Sequence, residues 1–144
     1  MIKVRHVGIT VSDMDKMLSF YSGILGFDQQ KIALEQGEYI DNFSALDGVV
    51  VTTAKLSNGV DEVLIELLKY HSHEGLLTLE SRLTNPGITH FALTVDDLES
   101  LYQRCTEGGI SFNAPPQLSP DGNAKVTFCR DPEGNLLELV EVLS

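Results

Sequence analysis

The 144-residue chain is short of basic residues, of cysteine and of long apolar runs. Ten Lys and Arg stand against 21 Asp and Glu, a formal charge of −11. A field of that sign repels phosphate backbones, which argues against a general nucleic-acid partner. The two cysteines, Cys105 and Cys129, form neither a disulfide framework nor a CxxC pair. That suits a reducing cytoplasm and casts both as small core residues. No apolar run approaches the roughly 18 residues that span a bilayer. The opening MIKVRHVGITV is too short and too soon interrupted to read as a signal peptide. A cytoplasmic protein with no membrane partner is therefore expected, and its length suffices to bury a core without crosslinks.

What is present is a repeat. HVGITVSDMDKMLSFY at 6–21 aligns with HFALTVDDLESLYQRC at 90–105, an offset of 84 residues. Each copy opens with strict alternation: His6, Gly8 and Thr10 oppose Val7, Ile9 and Val11, and His90, Ala92 and Thr94 oppose Phe91, Leu93 and Val95. That is the period of a half-buried strand. Ser12 and Asp96 then read as helix N-caps, with Asp15 and Glu99 three residues on. The stripes Met14, Met17, Leu18, Tyr21 and Leu98, Leu101, Tyr102, Cys105 follow helical spacing and read as core. Further strands are expected at 27–34, 48–56 and 62–68, with a polar, irregular stretch between the first two. In the second copy they are expected at 110–112, 125–129 and 136–142, and a short helix is expected around 74–83. The predicted class is α+β, two strand–helix–strand–strand–strand modules at 1–70 and 87–144 joined by a linker at 71–86.

A carboxylate stands out in the middle of the last strand of each copy. VLIELL at 63–68 is apolar but for Glu66, and LLELVEV at 136–142 is apolar but for Glu138 and Glu141. By alternation Leu64, Glu66 and Leu68 share one face, as do Leu136, Glu138 and Val140, while Glu141 falls on the other face near the terminus. A carboxylate in mid-strand is costly to desolvate unless paired or bound to a cation. Each copy thus supplies one His and one Glu at matching positions, His6 with Glu66 and His90 with Glu138. Two imidazoles and two carboxylates without thiolate suit Zn²⁺, Ni²⁺, Co²⁺, Mn²⁺ or Fe²⁺. His71 and His73 lack such support and read as surface loop residues.

The stretches HVGITVSDMDKMLSFYSGILGF, LIELL, ITHFALTVDDLESLY and DPEGNLLEL resemble the vicinal oxygen chelate superfamily: glyoxalase I, methylmalonyl-CoA epimerase, extradiol dioxygenases, fosfomycin-modifying enzymes and bleomycin-resistance proteins. The resemblance implies a single domain over 1–144, its two βαβββ modules forming a curved eight-stranded mixed sheet, a half-barrel with helices on the outer face. It also implies one divalent metal ion per site, held by His6, Glu66, His90 and Glu138, and a small-molecule substrate. A homodimer fits the resemblance too, since the family often dimerises.

Coordination arithmetic separates the branches. Dioxygenation needs two His and one carboxylate, leaving three of six positions for substrate and O₂. Glu66 as a fourth donor leaves two, enough for the vicinal oxygens of an enediolate. The expected activity is a metal-dependent lyase or isomerase of glyoxalase I type, abstracting a proton α to a carbonyl through a metal-bound enediolate, with Glu66 and Glu138 as catalytic carboxylates. Among the epimerases the position matched by Glu66 is commonly glutamine, whereas the stretch around Tyr39–Asp47 does not resemble a typical glyoxalase I. The alternatives are an epimerase, an extradiol-type dioxygenase using only His6, His90 and Glu138, and a metal-free binding protein like those of bleomycin resistance. Thr10, Thr94 and Tyr39 are candidates to face the substrate. Lys and Arg look scattered, so no anion pocket is nominated.

Overall fold

A computed structural model describes residues 1–60, 64–76 and 81–144. The chain divides into two compact units, Met1–Leu77 and Thr78–Ser144. In the first, β1 (His6–Thr10), β2 (Asp28–Gln36), β3 (Val50–Ser57) and β4 (Leu64–Tyr70) form a sheet in the order β1-β4-β3-β2. Strands β1 and β4 run parallel and the other neighbours antiparallel. In the second, β5 (His90–Thr94), β6 (Gln117–Leu118), β7 (Ala124–Arg130) and β8 (Leu136–Val142) repeat that plan as β5-β8-β7-β6. Seven of the eight expected strands are present among the described residues, the short β6 makes up four to a unit, and the class is α+β in tandem modules.

Alternation decides which face of each sheet is covered. In the first unit Ile9, Val11, Ala54, Leu56, Ile65 and Leu67 are buried, together with Met14, Met17, Phe20 and Tyr21 of the following helix. Removing each large side chain from water contributes about 1.5–3 kcal/mol, so this layer dominates the unit's stability. The helix begins as α1 (Met14–Leu18), against β4, and continues over Ser19–Ile24 in a wider turn. There Leu25 N–H donates to the Phe20 carbonyl, 3.0 Å, five residues back. The second unit buries Leu98, Leu101 and Cys105 of α3 (Leu98–Glu107) with Leu137, Leu139 and Cys129 in the same way.

Four local expectations change. The N-caps are Asp13 and Asp97, not Ser12 and Asp96, because the backbone stays extended one residue longer (φ −123° and −143°). Their carboxylates accept from Lys16 N–H and Ser100 N–H, both at 3.0 Å. The stretch expected to be irregular holds a two-turn helix, α2 (Glu38–Ser44). Its Ile40 packs with Val49, Val51, Leu68 and Tyr70, and the Asp41 carboxylate accepts from Gly48 N–H and Val49 N–H at 3.0 and 2.8 Å. The strand expected at 110–112 is reduced to a bridge between Phe112 and Cys129, the pairing being taken instead by the two-residue β6. Of the helix expected at 74–83, residues 77–80 lie outside those described, and its described remainder is not helical; Glu62 and Val63 of the expected 62–68 strand also lie outside.

Candidate functional site

Parallel pairing sets one His and one Glu side by side in each unit. Gly8 lies opposite Glu66 and His6 opposite Leu64, so His6 and Glu66 are diagonal neighbours on one face of β1 and β4. In the second unit Ala92 lies opposite Glu138 and His90 opposite Leu136, the same arrangement. Even the continuation of the ladder repeats: Val11 N–H donates to the Leu68 carbonyl and Val95 N–H to that of Val140, each at 2.8 Å.

The His6 Nε2 to Glu66 Oε2 distance is 3.8 Å, and His90 Nε2 to Glu138 Oε2 is 3.3 Å. Both exceed the ~2.7–3.2 Å of an N–H···O hydrogen bond, so the donor atoms face a common space without bonding to each other. Two ligands of one first-row divalent ion, each bonded at about 2.0–2.2 Å, sit roughly 2.8–3.6 Å apart for right-angle to tetrahedral geometry. The second pair lies in that span, and the first falls just beyond it. Both carboxylates are more covered than a surface acid, with side chains 14% exposed for Glu66 and 27% for Glu138. The His90 Nδ1 lies 2.9 Å from Thr89 Oγ1, and its ring meets Phe128 edge-on at 5.1 Å. These contacts orient the imidazole and leave Nε2 toward Glu138, the outer-shell support that metal-ligating histidines have.

Thiolates do not enter this donor set. Cys105 and Cys129 are fully buried, and burial pushes their thiols up to about 11 and about 12. Nitrogen and oxygen donors of this kind fit a borderline or hard divalent ion. Among the described residues no set of three or more His, Cys, Asp or Glu side chains is gathered around one point; what each unit supplies is a pair.

Other candidates are placed as follows. Thr10 and Thr94 are exposed and in register with Leu68 and Val140, on the faces of the two glutamates. Tyr39 is exposed on α2 and meets Phe43 edge-on at 5.2 Å. α2 sits over the Glu66 face, since Val51, Leu68 and Tyr70, which it covers, share that face. His71 is tied to Thr52 Oγ1 at 2.7 Å and His73 to Ser72 Oγ at 2.8 Å. Glu141, on the face opposite Glu138, accepts from Leu98 N–H at 2.9 Å and so caps the start of α3.

One feature of the Glu66 face escaped the sequence. In the register of the sheet, Gly8, Glu66, Lys55 and Lys31 form a single row across β1, β4, β3 and β2. The lysines are therefore not scattered but adjacent. The signal, alternation in VVTTAKLS, becomes readable only once strand order and register are known.

A family model described as Glyoxalase/Bleomycin resistance protein/Dioxygenase superfamily matches residues 3–139. The chain is 31% identical to the lactoylglutathione lyase of Schizosaccharomyces pombe over 96% of its own length, spanning about half (47%) of that protein. It is 30% identical to a probable lactoylglutathione lyase of Synechocystis, covering 96% of this chain and 95% of that one. A crystal structure of a glyoxalase family protein from Bacillus cereus, 21% identical, superposes with a TM-score of 0.89 over 100% of this chain and 96% of the other. The repeated strand–helix plan, the matched His–Glu pairs and a family model running nearly from end to end agree: the chain belongs to the Glyoxalase/Bleomycin resistance protein/Dioxygenase superfamily.

Proposed function

We propose that the protein is a divalent-metal-dependent lyase or isomerase of glyoxalase I type, acting on a small hemithioacetal. His6, Glu66, His90 and Glu138 would together hold one ion. The observation that carries the reading is the duplication of an unbonded His–Glu pair at equivalent register positions of two units. The names of the relatives from Schizosaccharomyces pombe and Synechocystis support it. A bound Zn²⁺, Ni²⁺, Co²⁺, Mn²⁺ or Fe²⁺ would supply Lewis-acid stabilisation of charge growing on the substrate oxygens.

The remaining work falls to the chain. Glu66 and Glu138 are the two carboxylates on the reacting faces, and a positioned base accelerates proton transfer by about 10²–10⁴. One takes the proton from the carbon α to the carbonyl, and it is returned to the neighbouring carbon. His6 and His90 serve as neutral nitrogen donors, the latter oriented by Thr89. The Tyr39–Phe43 pair on α2 offers an apolar wall on the Glu66 face.

The test is α-proton exchange with deuterated solvent, using the hemithioacetal of a 2-oxoaldehyde with glutathione and protein reconstituted with each metal. Metal-dependent exchange is expected, lost by about 10²-fold or more in Glu66→Gln and in Glu138→Gln. Exchange that survives Glu66→Gln would favour a three-donor enzyme instead. Ligand binding with no metal affinity would favour the binding-protein branch.

A further inference from the structure

The row Gly8–Glu66–Lys55–Lys31 has no counterpart in the second unit. There the position opposite Glu138 on β7 is Phe128, and β6 meets β7 through Gln117 and Leu118. The repeat keeps His and Glu in both copies but sets a cation beside Glu66 and an aromatic ring beside Glu138. Of the two basic residues of β7, Lys125 lies on the opposite face and pairs with Glu99 at 3.7 Å, while Arg130, opposite Leu136, is tied to the Gly134 and Ser81 carbonyls at 2.8 Å each.

The two lysines are placed against their own electrostatics. Cross-strand partners in an antiparallel pair hold Cβ atoms about 4.5–5.5 Å apart, and like charges there destabilise. With 21 acidic residues available and only 10 basic ones, pairing either lysine with a carboxylate would be the cheaper arrangement. Yet among the described residues neither lysine has an ion-pair partner within 4.0 Å. Lys55 is half-buried, its neighbours on that face being Glu66 and the buried Thr53. Lys31, on the edge strand, is exposed. Lys55 is thus a half-buried ammonium directly across from Glu66 that, among the described residues, closes no ion pair with it within 4.0 Å, which leaves its donors open to an anion from outside the chain.

We propose that Lys55, reinforced by Lys31, is the specificity-determining element of the site, binding an oxyanion (carboxylate or phosphate) carried by the substrate a few bonds from the carbon that Glu66 serves. The role assigned to Glu66 rests on the proposed function above, while the anion-binding claim is tested without it. Lys55 is a positioning residue: it fixes the end of the substrate remote from the reacting carbon, so it acts chiefly on affinity. The field of the row also selects against neutral substrates of equal size.

The experiment compares two thiols that differ in charge and by one methyl group, 3-mercaptopropionate and its methyl ester, free and as hemithioacetals of one 2-oxoaldehyde. Direct binding to the full chain is followed by NMR titration, and turnover by solvent deuterium exchange. Binding of the anionic thiol is expected to weaken roughly five- to tenfold in Lys55→Gln, to recover in Lys55→Arg, and to weaken less in Lys31→Gln. The ester should bind equally to all four proteins. Any turnover should show the change in KM and not in kcat. With the unaltered protein, added salt should weaken only the anionic thiol, and inorganic phosphate should compete with it, more strongly than acetate if phosphate is the natural group and less strongly if carboxylate is. Equal binding of acid and ester by the unaltered protein at low salt overturns the proposal, as does a Lys55→Gln protein, folded by circular dichroism, with undiminished preference for the acid. Absence of exchange with both hemithioacetals, alongside preserved charge-dependent binding, would overturn the proposed reaction and leave the anion site standing.

Discussion

The turn that launches β8, and with it Glu138, depends on one carboxylate. Asp131 is 3% exposed; its Oδ1 accepts from Glu133 N–H and Asn135 N–H at 3.0 Å, and its Oδ2 accepts from Asn135 Nδ2 at 2.8 Å. Its own N–H donates to the Asn135 carbonyl at 2.9 Å, closing the loop over Pro132, Glu133 and Gly134, where Gly134 has φ +91°. Bonds to a charged acceptor are worth about 1.5–3 kcal/mol each, but water reaches the half-buried donors once the carboxylate is gone, so Asp131→Ala should cost about 2–4 kcal/mol in all. Asp131→Asn retains one carbonyl acceptor and should cost about 1–2 kcal/mol. Against a total stability of about 5–15 kcal/mol these are large fractions, and the Ala variant should melt roughly 6–15 °C lower. Urea denaturation with an unchanged m-value and a shifted midpoint is the assay. The Ala variant costing less than about 1 kcal/mol, or the Asn variant costing as much as Ala, would refute the assignment of the turn to this carboxylate.

Other outcomes follow from single contacts. Glu141→Gln removes a negative charge from the first turn of α3 while keeping an acceptor for Leu98 N–H, and should cost about 0.5–1 kcal/mol by denaturation, less at high salt. Ala45 ends α2 at φ +53°, a conformation that glycine adopts without strain, so Ala45→Gly should raise stability by about 0.5–1 kcal/mol. Burial raises Cys105 from an ordinary 9.0 to about 11 and Cys129 to about 12. Above pH 9 the unfolded thiols lose protons that the folded ones keep, so their contribution to stability should be constant below pH 9 and fall as pH climbs toward 11–12, at up to about 1.4 kcal/mol per thiol per pH unit. Alkaline melts of the protein and of Cys129→Ala should show a shallower fall in the variant.

The repeat made much of the fold legible. Alternation in HVGIT and HFALT, and the 3.6-residue stripes after them, fixed β1, α1, β5 and α3, because each element buries one face against a sheet. α2 was not legible: it buries only Ile40 while Tyr39 and Phe43 stay exposed, so no stripe marks it. The N-caps slipped by one residue because Ser12-Asp13 and Asp96-Asp97 each offer two capping side chains, and only the backbone angle chooses between them. β6 spans two residues, too few for any periodicity. Of the site, the His–Glu pairs could be read because duplication repeats them. The lysine row could not, since register is a property of three strands together and no single segment encodes it. Thr89 beside His90 was hidden for a similar reason, its role being set by the rotamer of the ring.

The proposed function requires that residues of both units serve one ion. Cobalt(II) titration of the metal-free protein, followed by visible absorption and by metal analysis after gel filtration, tests it most directly. One Co²⁺ per chain is expected, with an absorption band that is altered or lost in each of His6→Ala, Glu66→Gln, His90→Ala and Glu138→Gln. No bound cobalt, or a spectrum and affinity that His6→Ala and Glu66→Gln leave unchanged, would contradict it.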